Sequence, residues 1–181
     1  IHTWKSRLVF LPYWLKILSF CLIVVAIARP RSLDESTETI AQEGIDIMLA
    51  LDVSTSMKAL DFKPNRLEAA KNIAIEFIDN RKTDRVGLVI YAGESFTQCP
   101  LTSDHDVLLN LIGSIKNGLL EDGTAIGMGL ATAVNRLKDS EAKSKVVILL
   151  TDGSNNKGSI PPLTAAEIAK EFGVRVYTVG I

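Results

Sequence analysis

From residue 45 onward, short apolar runs alternate with stretches whose apolar positions recur every three or four residues. The runs at 45–52, 85–92 and 145–150 read as buried strands of a parallel sheet, and 174–179 reads as a further strand. Residues 95–99 read as a short edge strand beside the second run. Between them lie amphipathic helices. Leu67, Ala70, Ala74, Phe77 and Ile78 mark one over 64–81, with Pro64 near its start, where a missing N–H costs little. Ser103 is expected to cap a second, with Asp104 and Asp106 in its first turn and Leu108, Leu109, Ile112 and Ile115 on its inner face. Ile126, Leu130, Val134 and Leu137 mark a third over 124–137. Thr164 and Glu167 have the spacing of a capping box opening a fourth helix, which Gly173 closes.

Strands alternating with helices imply right-handed crossovers. The fold class is therefore α/β: a doubly wound, mainly parallel sheet of four or five strands with helices on both faces. The last residues, Val179-Gly180-Ile181, still read as strand, so the domain is expected to be incomplete at its carboxyl end.

The first segment differs in kind. Residues 8–28 are apolar apart from Pro12, Lys16 and Ser19, and as a helix they would extend roughly 30 Å, the thickness of a bilayer's hydrocarbon core. Tyr13 and Trp14 suit the membrane interface, Lys16 would snorkel toward them, and Arg29-Pro30-Arg31 ends the run with charge and a breaker. A cleaved signal peptide or a buried core helix would share some of these features. The reading adopted is a membrane-spanning or membrane-anchoring helix with basic flanks over 1–31. A polar, acidic linker or edge strand follows over 32–44, and the α/β domain occupies 45–181.

Charge sharpens this division. Net charge is −1, yet residues 1–31 carry Lys5, Arg7, Lys16, Arg29 and Arg31 and no acid, so all 21 acids fall in the remainder. That acidic body argues against a nucleic-acid surface, which needs clustered Lys and Arg. Cys21 and Cys99 show no metal-ligand spacing and read as two buried thiols. His2 and His105 are the sole histidines, which leaves no His-based metalloprotease site and no supported Ser-His-Asp triad. His105 reads as an exposed first-turn residue.

Candidate chemistry gathers at strand ends. In open α/β sheets the ligand crevice lies beyond the carboxyl ends of the strands. The first strand runs into Asp52-Val53-Ser54-Thr55-Ser56, a carboxylate with two hydroxyls spaced two apart. The third long strand runs into Thr151-Asp152-Gly153 at the same sheet edge. The loop Glu121-Asp122-Gly123-Thr124 places another hydroxyl at a helix start, and Gly127 and Gly129 let backbone approach closely. Asp52, Ser54, Ser56, Thr124 and Asp152 thus offer an all-oxygen donor set suited to Mg²⁺ or Mn²⁺. Taken singly, each hydroxyl is equally an ordinary cap or turn residue. The joint order on strand-to-helix turns makes the pattern specific. Asn155-Asn156-Lys157-Gly158 reads as a plain turn that could rim the site.

This order resembles the metal-ion-dependent adhesion site of von Willebrand factor A (VWA) domains, a Rossmann-like fold, and the likeness covers about residues 44–181. It implies that Asp52, Ser54, Ser56, Thr124 and Asp152 hold the ion and that a carboxylate from a protein partner takes its open position. The segments beginning at Gly87 (Gly-Leu-Val-Ile-Tyr-Ala-Gly-Glu-Ser-Phe-Thr-Gln-Cys-Pro-Leu-Thr) and at Gly123, with Ala28-Arg29-Pro30 after the apolar helix, resemble the BatA-type bacterial aerotolerance proteins. That narrower resemblance implies an inner-membrane protein with its domain in the periplasm, working with other Bat-type proteins and a MoxR-type AAA+ ATPase. The function expected is metal-dependent protein binding, not catalysis. Two rivals are a Mg²⁺-dependent phosphohydrolase with Asp52 as nucleophile and a domain whose metal is purely structural. For the first, the residue two after Asp52 is Ser54 and not a second acid, and no lysine is obviously placed for phosphate.

Overall fold

The computed structural model describes residues 11–28, 44–153 and 155–181. The chain divides into two compact units, Ile1–Ile40 and Ala41–Ile181. In the first, α1 (Leu11–Ala28) is an 18-residue helix. At 1.5 Å per residue it is about 27 Å long, short of the roughly 30 Å of bilayer hydrocarbon, and Lys16 interrupts it. Among the described residues no helix is long and apolar enough to cross a membrane. The start of the expected span, its Arg29-Pro30-Arg31 stop and all but the last residue of the 32–44 linker lie outside the described residues. Cys21 is exposed, against the expectation of a buried thiol; Cys99 is buried.

The second unit is built on five strands: β1 (Asp46–Asp52), β2 (Arg85–Tyr91), β3 (Ser95–Thr102), β4 (Lys145–Thr151) and β5 (Val174–Gly180). Their order is β3-β2-β1-β4-β5. β1 pairs in parallel with both β2 and β4, and β5 in parallel with β4. The edge strand β3 is antiparallel to β2. As the sheet's centre, β1 is buried along its whole length.

Alternation along β1 feeds two cores. Ile47, Leu49 and Leu51 face α2 (Arg66–Asp79) and α3 (His105–Ser114), meeting Leu67, Ala74, Ile78, Leu108 and Ile112. Met48 and Ala50 face α4 (Ile126–Leu137) and α5 (Pro162–Glu171), meeting Leu130, Val134, Ala165 and Ala169. Apolar runs are what a sheet covered on both faces requires, so the expected mainly parallel α/β architecture is the one found.

The helix starts differ in detail. Asn65 caps α2, accepting from the backbone N–H of Glu68 at 2.8 Å. Asp104, not Ser103, caps α3 by accepting from Val107 N at 3.1 Å, so it stands before the first turn and not within it. α5 opens on Pro162, leaving Thr164 inside the helix and not at its cap. Proline's fixed φ suits the first helical position, which places the start two residues earlier. Gly173 does close α5, at φ +66°, where a side chain would be strained. His105 is half-buried, not exposed, and its Nε2 lies 3.0 Å from the Asp84 carbonyl.

Candidate metal centre

Parallel pairing of β1 with β4 sets Leu51 opposite Leu150, so Asp52 and Asp152 emerge side by side at the carboxyl edge of the sheet. Asp52 is fully buried. Its Oδ1 accepts from Ser54 N at 2.9 Å and its Oδ2 from Thr151 Oγ1 at 3.2 Å. Burial pushes the Asp52 carboxyl above the usual carboxylate range, and the charge of Asp152 adds to that, against the opposing bonds from Ser54 and Thr151. The same burial, with Asp52's charge behind it, pushes the Tyr91 phenol far up; its hydroxyl donates to Leu150 O at 3.1 Å.

Beyond Asp52 the chain curls into a short 3₁₀ turn, Thr55–Lys58. Met57, fully buried, anchors this turn in the core, and Met57 N bonds to Ser54 O at 3.2 Å. The curl brings the buried Ser54 and the exposed Ser56 together. Ser54 Oγ and Ser56 Oγ lie 2.9 Å apart, and Ser56 Oγ donates to Asp152 Oδ1 at 3.0 Å. One run of hydrogen bonds therefore joins Asp52, Ser54, Ser56 and Asp152.

Thr124 enters differently. It is buried just before α4 and is held by its backbone: Thr124 N donates to Asn156 Oδ1 at 2.8 Å, and its carbonyl accepts from Asn156 N at 3.0 Å. Ala125 N also bonds to Ala92 O at 2.6 Å, tying the loop to the end of β2. No hydrogen bond among the described residues links the Thr124 hydroxyl to the other four.

The contacts of four neighbours, Arg66, Asp61, Asp122 and Asn156, were not legible in the chain. Arg66 Nη1 donates to Asp152 Oδ2 at 2.8 Å, while its Nε and Nη2 fork onto Asp61 at 2.9 and 2.5 Å. The Asp152 carboxylate is fully covered, and Arg66 is a quarter exposed. That fork holds Asp61 below the usual carboxylate range and raises the guanidinium further still. Asp122 accepts from Thr55 Oγ1 at 2.8 and 3.0 Å and from Thr55 N at 3.2 Å, and these bonds hold its carboxyl low. Asn156, in the segment read as a plain turn, clasps Thr124. The Asn-Lys-Gly composition of that segment signals a turn and nothing of its partner.

Among the described residues no three of His, Cys, Asp and Glu gather as a metal-binding group. The donors here are two carboxylates and hydroxyls, the chemistry of a hard-cation site and not of a zinc cage. Two like-charged acids at one edge, both covered, fit a divalent cation, although Asp152 already carries one guanidinium bond from Arg66.

The family model for the von Willebrand factor type A domain matches residues 46–181. The chain belongs to this family. A crystal structure of an aerotolerance-related membrane protein from Bacteroides fragilis, carrying multiple mutations to serine, is 36% identical with a TM-score of 0.71, over 76% of this chain and 67% of that one. Proximal thread matrix protein 1 from the mussel byssus, solved with a zinc-occupied MIDAS motif, is 28% identical with a TM-score of 0.68, over 76% of this chain and 35% of that one. An uncharacterized protein of Borreliella burgdorferi is 33% identical across 95% of this chain and 50% of its own length. The chain spans about half the length of the curated relatives it matches. VWA domains thus include a member with a divalent metal at this motif, and the resemblance to bacterial aerotolerance proteins holds at the level of the solved structure.

Proposed function

We propose that this VWA domain holds Mg²⁺ or Mn²⁺ through Asp52, Ser54, Ser56, Thr124 and Asp152 and uses it to bind another protein that presents an acidic side chain. The observation that carries the reading is the hydrogen-bonded run Asp52–Ser54–Ser56–Asp152 at the carboxyl edge of the sheet. A bound divalent ion would supply Lewis acidity toward a carboxylate. Two acids balance its charge and the hydroxyls add none, so its pull on a further anion persists.

Nucleophilic chemistry at Asp52 is disfavoured. The residue two positions after Asp52 is Ser54, which supplies no acid for proton transfer to a leaving group. A purely structural metal differs in one measurable respect: its affinity would not change when an acidic peptide is added. Within the same proposal the apolar run 8–28 anchors the protein in a bacterial inner membrane and the VWA domain faces the periplasm. There it would work beside other Bat-type proteins and a MoxR-type ATPase. The similarity to an aerotolerance-related membrane protein supports this placement.

The test is capture of partner proteins from membrane extract by the chain in Mg²⁺, in EDTA and as Asp52→Ala. Capture should require both the metal and Asp52 while circular dichroism stays native. Equal capture in all three arms contradicts the proposal.

A further inference from the structure

Asp122 and Asn156 are exposed, sit on different loops, and are not among the five residues read as ion ligands. Each directs its side chain at a loop that carries one. Asp122 receives the hydroxyl and the N–H of Thr55, the residue between Ser54 and Ser56. Asn156, four positions past Asp152, takes Thr124 N–H on its Oδ1 at 2.8 Å and returns its own N–H to Thr124 O at 3.0 Å. The loop bearing Thr124 is thereby fastened on one side to the Ser54–Ser56 turn and on the other to the loop bearing Asp152.

These fastenings matter because the direct contacts leave Thr124 out. Ser54, Ser56 and Asp152 hold one another through their own oxygens; Thr124 keeps its place beside them through its backbone, Asp122 and Asn156. Exposed hydrogen bonds compete with water and add little to global stability. They still reduce the freedom of donors that a small hard cation requires in near-octahedral array. Outer partners of this kind commonly alter metal affinity without touching the ion.

We propose that Asp122 and Asn156 are positioning residues whose hydrogen bonds set the affinity of the metal site by fixing Thr124 relative to Ser54, Ser56 and Asp152. This rests on the reading of those residues as ligands.

The test is calorimetric titration of Mn²⁺ into the wild-type chain and five variants, with metal-free melting and circular dichroism as controls. Asp122→Ala and Asn156→Ala should each weaken binding about 10-fold or more. Asp122→Asn and Asn156→Asp each keep an oxygen acceptor and should stay near wild-type affinity. Metal-free melting should change little in all four, as expected for exposed positions. Wild-type affinity in both alanine variants, in a protein where Asp52→Ala still abolishes binding, overturns the positioning role and leaves the ligand set standing. A loss in Asp122→Asn as large as in Asp122→Ala overturns it too, because charge would then be the operative property. Failure of the wild-type chain to bind Mn²⁺ refutes the ligand set itself.

Discussion

Replacing Gly127 with alanine puts a methyl group where α4 has no room. The added Cβ would stand 2.8 Å from the Pro161 carbonyl carbon, 2.9 Å from that of Ile160, and closer still to the Ile160 oxygen. These are backbone atoms, so no flexible side chain can yield. Either α4 or the segment entering α5 must move by more than an ångström to regain ordinary contact at about 3.4 Å. Overpacking of this kind costs about 1–3 kcal/mol, with a partial offset from alanine's better helix propensity. A net loss near 2 kcal/mol would lower the melting temperature by roughly 8 °C in a unit of this size. Gly113 in α3 supplies the contrast. A Cβ there meets nothing within 4 Å, so Gly113→Ala should stabilise by up to about 1 kcal/mol. The consequence reaches the site, because Gly127 is three residues past Thr124 and its N–H bonds to Asn155 Oδ1 at 3.4 Å. Gly127→Ala should therefore also shrink the rise in melting temperature produced by Mg²⁺. Thermal unfolding by circular dichroism, with and without Mg²⁺, reads both effects. Equal melting temperatures for the two alanine variants would refute the packing reasoning.

Asp52→Asn should stabilise the metal-free protein at neutral pH and abolish stabilisation by Mg²⁺, since burial opposes the ionised carboxylate. The sign follows from linkage. With Asp52 raised above its ordinary 3.8, the native state binds more protons than the unfolded one, so this group's contribution falls as pH rises through the raised value. Asp61 and Asp122, held low, contribute in the opposite sense, and that contribution is lost as pH falls through their lowered values. Urea midpoints between about pH 4 and pH 7 should show the fall in wild type and a shallower one in Asp52→Asn. Arg66→Ala leaves the covered Asp152 carboxylate without its guanidinium and should lower the urea midpoint at unchanged slope. Leu60 and Phe62, 77% and 47% exposed, flank Asp61 beside the site. Leu60→Ser with Phe62→Ser should weaken partner capture while Mn²⁺ affinity stays unchanged.

The architecture was legible because the central strands β1, β2 and β4 are apolar runs and each helix of the second unit has a periodic inner face. Burial of β1 on both sides, with Ile47, Leu49 and Leu51 against one layer and Met48 and Ala50 against the other, is what such a run encodes. Asp52 and Asp152 were legible for a related reason: both follow buried parallel strands, so topology brings them to one edge. Helix starts were less so. Ser103 and Asp104 are adjacent competent caps, and only the local backbone decides between them. The contacts around the site were least legible. Arg66 reaches Asp152 across 86 positions and Thr55 reaches Asp122 across 67, and neither spacing has a local signature. Both depend on how loops from separate strands settle against one another.

The central claim is that one divalent ion sits among Asp52, Ser54, Ser56, Thr124 and Asp152. The most direct measurement is a crystal structure of the chain grown with Mn²⁺, with anomalous density collected at the manganese edge. A single strong peak within coordination distance of oxygens from these residues, lost in Asp52→Ala, is the predicted result. Saturating Mn²⁺ with no peak at this edge of the sheet, or with its peak elsewhere, would contradict the account.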